Sequence, residues 1–460
     1  MGRLVVVSNR VALPGESRAG GLAVALQSAL DDPADRQQGG LWFGWSGKID
    51  PQRSGRMRRQ QDGDISYATI DLSRRDHADY YNGFANRSLW PLLHFRMDLV
   101  DYSRETYAAY RRVNALFADK LAPLLRDDDL VWVHDYHLIP LASVLREHGV
   151  RARMGFFLHV PMPSSDLLAA LPQHERLFEG LSAYDLVGFQ TSRDLERFQD
   201  YVRLFGRGTV VSPGVLETAG GRRLRAGAFP ISIDTAAIAR QAAEAVDKPS
   251  VKRLKESLSG RALAIGVDRL DYSKGLPERF RAFERFLQRH PEQLGKLTFL
   301  QIAPVSRGDV AEYRALRHEL EQLAGHVNGA HAAPDWTPMR YVNSNYAHPT
   351  LTGFYRAARV GLVTPLRDGM NLVAKEYVAS QDPKDPGVLV LSTFAGAARE
   401  LDSALLVNPY DLDGVADAIA MAMRMRLGER KERWEAMMAL LRTHDITAWR
   451  RAYLAALAAA

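Results

Sequence analysis

Hydrophobic residues along this chain come in short continuous runs rather than in alternation with polar ones. The runs fall at Leu4–Ser8, Leu130–His134, Met154–Leu158, Leu186–Gln190, Ala262–Val267, Leu297–Ala303, Val360–Thr364 and Val388–Ser392. A strand that is apolar on both sides is covered on both faces, so these runs predict interior strands of parallel sheets. Between them, apolar positions recur at helical spacing over Ser103–Leu125, Arg193–Leu204, Leu276–Arg289, Val310–Leu323 and Leu412–Arg426. The alternation of the two patterns predicts right-handed βαβ crossovers and an α/β fold.

A break in composition divides the pattern. A Gly/Arg-rich stretch, 214–227, leads through AFPISID to a polar helix with a Lys-Pro break at 248–249. The predicted hinge lies close to Asp234, giving two doubly wound, Rossmann-like domains, 1–234 and 235–440. For a chain of 460 residues that count fits the usual size of a domain. The remaining segment, 441–460, carries a helix over Asp445–Ala459 expected to cross back onto the first domain. The formal charge is +6, which suits anionic small substrates. The basic residues are dispersed, and the two short clusters, Arg53–Arg59 and Arg222–Arg225, read as solvated loops rather than a nucleic-acid footprint. The absence of cysteine excludes disulfides, thiolate nucleophiles and cysteine metal sites. No apolar run is long enough to span a membrane, and the chain opens directly into a strand without the apolar region of a signal peptide. The expectation is a cytoplasmic enzyme.

Open parallel sheets bind ligands at the carboxyl ends of their strands, and polar residues gather there. Ser8-Asn9-Arg10, His134-Asp135-Tyr136, His159, Asp268-Arg269, Arg307 and Asp368 each follow an apolar run. Together they predict one cleft between two facing domains. In GVDRLDYSKGL, Arg269 and Lys274 stand in one loop ahead of a helix. A planar cationic fork and a point charge suit a diphosphate, the alternative being a pair of surface salt bridges. The stretch 361–376, GLVTPLRDGMNLVAKE, reads as a strand over Gly361–Pro365, a tight loop over Arg367–Asn371 and a helix from Leu372. Gly369 supplies backbone freedom to the loop. The helix start offers unpaired N–H groups to a phosphate, and Glu376, one turn in, offers a carboxylate to sugar hydroxyls. A nucleotide-sugar site is the first expectation.

Other patterns carry less. The pair Gly20-Gly21 before LAVAL marks either a turn or a helix start over which a ligand lies. There is no G-x-G-x-x-G, and GWSGK at 44–48 lacks the Ser/Thr of a P-loop, so dinucleotide and P-loop readings lose their support. His134 and His137 straddle a strand-to-helix turn, a poor arrangement for a metal. Asp135 there is better suited to a sugar hydroxyl. His159, beside the Pro161-Met162-Pro163 turn, is either a core histidine or a ligand contact. Trp42, Trp45, Tyr80, Tyr81, Phe84 and Trp90 are core by default, but Tyr81 and Trp90 lie among polar residues and suggest the wall of a sugar pocket. Asp62-Gly63-Asp64 reads as a turn with no strand before it. No pair of carboxylates stands out for glycoside hydrolysis, and the phosphate-suited cations favour transfer from an activated sugar.

Taken together, VVVSNR, GGLAVAL, WFGWSG, YYNGFAN, LWPLLHFR, VWVHDYHL, FFLHVPMPS, GVDRLDYSKGL, QIAPVSRGDV and TPLRDGMNLVAKE resemble the trehalose-6-phosphate synthases, retaining glycosyltransferases of the GT-B fold. The resemblance runs nearly end to end. It implies two Rossmann-like domains facing a central cleft, the first binding the acceptor and the second the nucleotide sugar. It implies transfer of glucose from UDP-glucose, or another nucleotide-glucose, to glucose 6-phosphate, with no metal and no cofactor. Nucleic acid and membrane are not expected partners; a homo-oligomer is compatible.

The resemblance also implies roles residue by residue. Arg269 and Lys274, with backbone N–H groups around Leu372 and Val373, fall on the donor diphosphate. Glu376 falls on the ribose, and Asp368, Gly369, Met370, Asn371 and His159 fall on the donor glucose. Gly21 lies near the donor, and Tyr346 stands near the base where relatives carry Phe. Arg10, Tyr81, Trp90, Asp135 and Arg307 fall on the acceptor. The implied catalytic set is Asp135, His159, Arg269, Lys274 and Asp368. Two alternatives stand beside this reading: a pseudo-glycosyltransferase or synthase of another disaccharide phosphate, and a non-catalytic sugar-phosphate-binding regulatory subunit.

Overall fold

A computed structural model describes residues 2–15, 26–27, 30, 39–205, 208–305 and 310–460. The chain forms two units, Met1–Pro230 with Thr447–Ala460, and Ile231–Ile446. The passage between units falls at Pro230/Ile231 rather than at Asp234, and the return falls at Thr447 rather than at 441. The reason is packing: Ile231 and Ile233 are buried, the Ile446 N–H donates to the Ile233 carbonyl at 3.0 Å, and the Thr235 hydroxyl donates to the Leu441 carbonyl at 2.8 Å.

The first unit is built on a ten-stranded sheet. Its strands in chain order are β1 (Leu4–Arg10), β2 (Gly40–Asp50), β3 (Met57–Asp62), β4 (Ile65–Ser73), β5 (Leu130–His134), β6 (Arg153–Phe157), β7 (Leu186–Phe189), β8 (Gly208–Ser212), β9 (Val215–Thr218) and β10 (Arg223–Ala228). The spatial order is β3-β4-β2-β1-β5-β6-β7-β10-β9-β8. Strands from β4 through β10 in that order pair in parallel, while β3, β9 and β8 add antiparallel hairpins at the two edges. The central strands are buried end to end: β5 is LVWVH and buried throughout, as continuous apolar runs require.

The hairpin edges are where the sequence pattern failed. Arg58 and Arg59 lie on β3, MRRQQD, whose residues are mostly exposed, and Arg223 and Arg225 lie on β10. Arg53, Arg56 and Arg222 lie outside strands as expected, while Arg58, Arg59, Arg223 and Arg225 are strand residues. A polar edge strand such as β3 shows no apolar run because neither face is covered, and charge there blocks pairing with another chain, whereas β10 is paired on both sides, by β7 and β9. Gly63-Asp64 is indeed a turn, joining β3 to β4, but a strand does precede it.

The second unit has six strands, β11 (Ala262–Val267), β12 (Leu297–Ile302), β13 (Met339–Val342), β14 (Val360–Val363), β15 (Val388–Ser392) and β16 (Leu405–Val407). They run in the order β13-β12-β11-β14-β15-β16, all parallel. This is the doubly wound order in which the chain builds outward from the first strand, returns, and builds outward on the other side. The return lies between β11 and β14. In the first unit the corresponding return lies between β1 and β5. Helices Leu276–Arg289 and Leu412–Arg424 bury a face each, and Leu276–Arg289 was legible to the residue.

The last helix, Ile446–Ala458, belongs to the first unit from Thr447 on. Its Tyr453 is buried and stacks on Trp132 of β5, ring centroids 4.5 Å apart and 12° from parallel. The Tyr453 hydroxyl donates to the Phe156 carbonyl at 3.0 Å. Gly155 and Gly188 make room for that ring, since a Cβ on Gly155 would stand 2.4 Å from the hydroxyl oxygen. Tyr453→Ala is expected to destabilise the first unit by about 3–5 kcal/mol through loss of the ring and the cavity it leaves. Tyr453→Phe is expected to cost about 1 kcal/mol for the hydrogen bond alone. Urea unfolding followed by tryptophan fluorescence separates the two; equal losses overturn the assignment to packing.

Candidate functional site

At the return point of the second unit, two loops leave neighbouring strand ends and are tied together. After β11 come Asp268 and Arg269, then a turn in which Asp271 accepts hydrogen bonds from the Ser273 N–H (3.0 Å) and hydroxyl (2.9 Å). Gly275 has φ 62, and a Cβ there would meet the Thr364 carbonyl at 2.7 Å, so only glycine lets the two loops lie this close. The Leu366 N–H closes the contact by donating to the Ser273 carbonyl at 2.9 Å. Lys274 thereby reaches the loop after β14 and ion-pairs with the Asp368 carboxylate. Asn371 donates from Nδ2 to the same carboxylate oxygen at 3.0 Å.

Asn371 is also the N-cap of the helix Leu372–Ser380, its side chain accepting from the Ala374 N–H at 3.3 Å. The positive φ in this loop belongs to Asn371, at 72°, and not to Gly369 as the sequence suggested. Asn tolerates that region because its side chain bonds locally. Met370 is buried at the turn. Leu372 and Val373 are the first two helical residues, so their N–H groups have no intrahelical acceptor. Arg269 is half exposed, 3.7 Å from the buried Asp271 carboxylate. Beneath the cluster lies a residue the sequence reading missed. Arg279, 1% exposed, donates to Asp268 (2.6 Å), Thr364 (2.9 Å), Gln301 (2.9 Å) and the Lys274 carbonyl (3.3 Å). It cross-links the two strand ends. No pattern marks it, because an arginine inside an amphipathic helix looks like a surface residue.

Glu376 is buried one turn into the same helix. Its carboxylate stands 3.5 Å from His348 Nε2, and His348 Nδ1 lies 2.7 Å from the Gln241 side-chain oxygen. The hydrogen bond to Glu376 raises the His348 pKa above its ordinary value, against the effect of burial. This contact brings the segment carrying Tyr346 to the helix. Tyr346 itself is exposed and meets Phe354 edge-on. The neighbouring Lys375 is fully buried, donating to Glu400 (2.7 Å) and to the Ile231 carbonyl (2.8 Å).

The first unit gathers its residues at the β1/β5 return point. Arg10 ends β1, exposed, with its guanidinium over Gly47, where a Cβ would stand 2.9 Å from Nε. Tyr81 is half-buried, stacked on His137 at 5.8 Å and 15°, and 5.6 Å from the ring of Trp45, the register partner of Arg10. It lies on a wide helix, His77–Leu89, with π-type bonding. Such helices are rare and cluster at functional sites. Asp135 follows β5 with φ 75 and ψ 165, a conformation that costs roughly 1–3 kcal/mol for a residue with a Cβ. The Asp135 N–H donates to the Phe157 carbonyl (2.8 Å), and its carboxylate accepts from the His159 N–H (3.3 Å). His159 Nε2 lies 2.9 Å from His134 Nδ1. Burial lowers the His159 pKa to about 3 and pushes His134 well below its usual value.

The expected wall residue Trp90 sits deep. It is 6% exposed, packed on Tyr136 and His94, because it opens the short helix Trp90–Leu93, which is buried throughout. Gly21 and Arg307 lie outside the described residues. Among the described residues no group of three or more His, Asp or Glu is arranged to hold a metal ion, and no helix is long and apolar enough to cross a membrane.

The profile of glycosyltransferase family 20 matches residues 5–459. The trehalose-6-phosphate synthase of Sinorhizobium fredii is 54% identical over 458 residues, 99% of this chain and 98% of that protein. A UDP-forming α,α-trehalose-phosphate synthase of Burkholderia xenovorans, solved in complex with glucose-6-phosphate, is 49% identical with a TM-score of 0.95, over 99% of this chain and 100% of that one. An E. coli trehalose-6-phosphate structure bound with UDP-2-fluoro glucose is 48% identical with a TM-score of 0.93, over 99% of each chain. The two Rossmann-like units are the GT-B architecture of these structures.

The Glu376–His348 contact makes a prediction about protonation. A raised imidazole pKa means that the contact stabilises the fold fully below the ordinary value of about 6.5 and loses that contribution as pH rises through the raised one. Glu376→Gln is expected to move the His348 titration midpoint down, read by NMR. An unmoved midpoint assigns the shift to another group.

Proposed function

Because the chain belongs to glycosyltransferase family 20, we propose that it makes α,α-trehalose 6-phosphate, moving glucose from UDP-glucose to glucose 6-phosphate with retention. One observation carries the reading: Lys274, Asp368 and Asn371 meet at the β11/β14 return point, at the N-terminus of the helix Leu372–Ser380. A cation and free N–H groups for phosphate stand directly beside a carboxylate for sugar hydroxyls.

In this proposal Arg269, Lys274 and the N–H groups of Leu372 and Val373 hold the donor diphosphate. Glu376 takes the ribose, and Tyr346 lies toward the base. Asp368, Gly369, Met370 and Asn371, with His159, hold the donor glucose, and Gly21 lies beside it. Arg10, Arg307, Tyr81, Trp90 and Asp135 serve the acceptor. The bond from glucose C1 to the diphosphate oxygen breaks as the bond from C1 to the acceptor O1 forms on the same face. The acceptor's proton passes to the leaving diphosphate oxygen, so no protein nucleophile takes part. The protein contributes orientation and stabilisation of the charge that grows on the leaving group. With its own cations at the diphosphate, the proposed mechanism includes neither metal nor cofactor. The enzyme is placed in the cytoplasm, where its phosphorylated substrates are expected.

Incubation with UDP-glucose and glucose 6-phosphate is expected to release UDP and form a 1,1-linked disaccharide phosphate. No release with UDP-, GDP- or ADP-glucose overturns the proposal, and turnover only with an amino-cyclitol phosphate moves it to a pseudo-glycosyltransferase. Arg10→Ala is expected to weaken use of glucose 6-phosphate by roughly 1.5–3 kcal/mol, the worth of a hydrogen bond to a charged group, with the UDP-glucose KM little changed. An unchanged acceptor KM and rate remove Arg10 from the phosphate site.

A further inference from the structure

We propose that His348 is a positioning residue for Glu376. Its ring holds one oxygen of the carboxylate, so that the rest of the group faces the two ribose hydroxyls of a nucleoside diphosphate sugar. The inference rests on the reading of Glu376 as the ribose contact of the donor.

Glu376 lies one turn into the helix Leu372–Ser380 and is 8% exposed. A carboxylate so placed has lost most of its water and needs a partner in the protein. Among the described residues its one ion pair is with His348, whose Nε2 stands 3.5 Å from Glu376 Oε1. His348 opens the neighbouring helix, His348–Ala357, two positions after Tyr346. The turn that presents it is fixed: Pro349 stands in the first turn, and the Ala347 carbonyl accepts from the Thr350 N–H at 2.8 Å. The other ring nitrogen, Nδ1, lies 2.7 Å from the side-chain oxygen of Gln241 on a third helix, Thr235–Glu244. Side chains of two further helices thus meet the ring at both nitrogens. An ion pair between two exposed, mobile side chains contributes little; here one partner is buried and the other is braced.

The protons follow from the partners. A carboxylate only accepts, so Nε2 carries the N–H of this contact. With the Gln241 oxygen toward Nδ1, both nitrogens donate and the ring is an imidazolium. With that amide turned over, its NH2 donates to Nδ1 and the ring is neutral with its proton on Nε2. Both arrangements give Glu376 the same donor, so the positioning does not depend on how the amide is turned. The consequence lies in what is left of the carboxylate. An ionised carboxylate offers about four acceptor sites on its two oxygens. His348 takes one on Oε1. Oε2 and the second site of Oε1 remain, the pair of acceptors that two adjacent hydroxyls require. The terminal torsion of a glutamate is broad when nothing holds it. His348 fixes that torsion before the nucleotide arrives, which lowers the ordering cost of binding.

The test is calorimetric binding of UDP and of 2′,3′-dideoxy-UDP to the full chain, with the kinetics of UDP-glucose beside it. The native chain is expected to bind UDP more tightly than the dideoxy nucleotide. His348→Ala is expected to weaken UDP about five- to tenfold, between the worth of an exposed ion pair and that of a hydrogen bond to a charged group. The same variant is expected to leave binding of the dideoxy nucleotide unchanged. His348→Gln, which returns an N–H near the position of Nε2, is expected to recover most of the loss. In turnover the loss falls on the UDP-glucose KM with kcat little changed, the signature of an interaction made equally in ground and transition states. The His348 side chain is 42% exposed, so both variants are expected to fold. No loss in the Ala variant, an equal loss for the two nucleotides, or a Gln variant no better than Ala overturns the proposal and leaves Glu376 on the ribose. A native chain that binds both nucleotides alike removes Glu376 from the ribose, and the proposal with it.

Discussion

A parallel sheet covered on both faces leaves its strands no side for polar groups, and most of this protein's site follows from that constraint. β5, β11, β12, β14 and β15 are buried along nearly their whole lengths. Functional side chains therefore sit where strands stop. Where the spatial order of strands reverses, neighbouring connections depart to opposite faces and leave a crevice at the carboxyl ends. The reversals at β1/β5 and β11/β14 are where Arg10 and Asp135, and Arg269, Lys274 and Asp368, are found. The sheet order brings Lys274 to Asp368 across more than ninety residues of chain.

Holding polar groups at those ends requires compensation from the layer beneath. Asp135 and Asn371 both take positive φ with a Cβ present, and each is tied down on both sides, Asp135 by Phe157 and His159 and Asn371 by Asp368 and Ala374. Arg279 satisfies Asp268, Gln301 and Thr364 at once. A buried charge is tolerable when it is paired and its hydrogen bonds are filled, and Arg279 meets both conditions while locking two strand ends together. Lys375 repeats the device one helix away. Burial lowers its pKa while Glu400 opposes the shift, and its second bond holds the Ile231 carbonyl at the start of the second unit.

The two units use different chemistry at equivalent places. In the second, charge faces charge: Lys274 on Asp368, Arg269 by Asp271. In the first, aromatic and imidazole rings dominate. Trp45, Tyr81, His137, Tyr136 and Trp90 form a continuous chain of ring contacts, and His134 with His159 forms a pair that burial keeps uncharged. Aromatic faces and neutral donors suit a sugar, and cations with helix N–H groups suit a phosphate.

How much of this was legible in the chain depends on how far each cause reaches. Interior strands were legible because burial on both faces is written as an unbroken apolar run. The helix Leu276–Arg289 and the start of Leu372–Ser380 were legible because periodicity and capping are local. The polar edge strands β3 and β8, with β9 beside the latter, were not, since a strand uncovered on its faces carries no such run. The wide helix His77–Leu89 was not, because its turn does not follow the spacing that a helical pattern is scored against. Among site residues, Arg269, Lys274, Asp368 and Glu376 announced themselves as charges beside predicted strand ends. Arg279, His348 and the His134–His159 bond did not, because each is defined by a partner distant in sequence. The sequence by itself determined which residues could sit at strand ends and which strands were interior. The tertiary structure alone decided which ends became neighbours, which ring nitrogen met which, and how deeply an aromatic such as Trp90 is buried, because those outcomes depend on strand order and on packing across the sheet, and neither is a property of any local stretch.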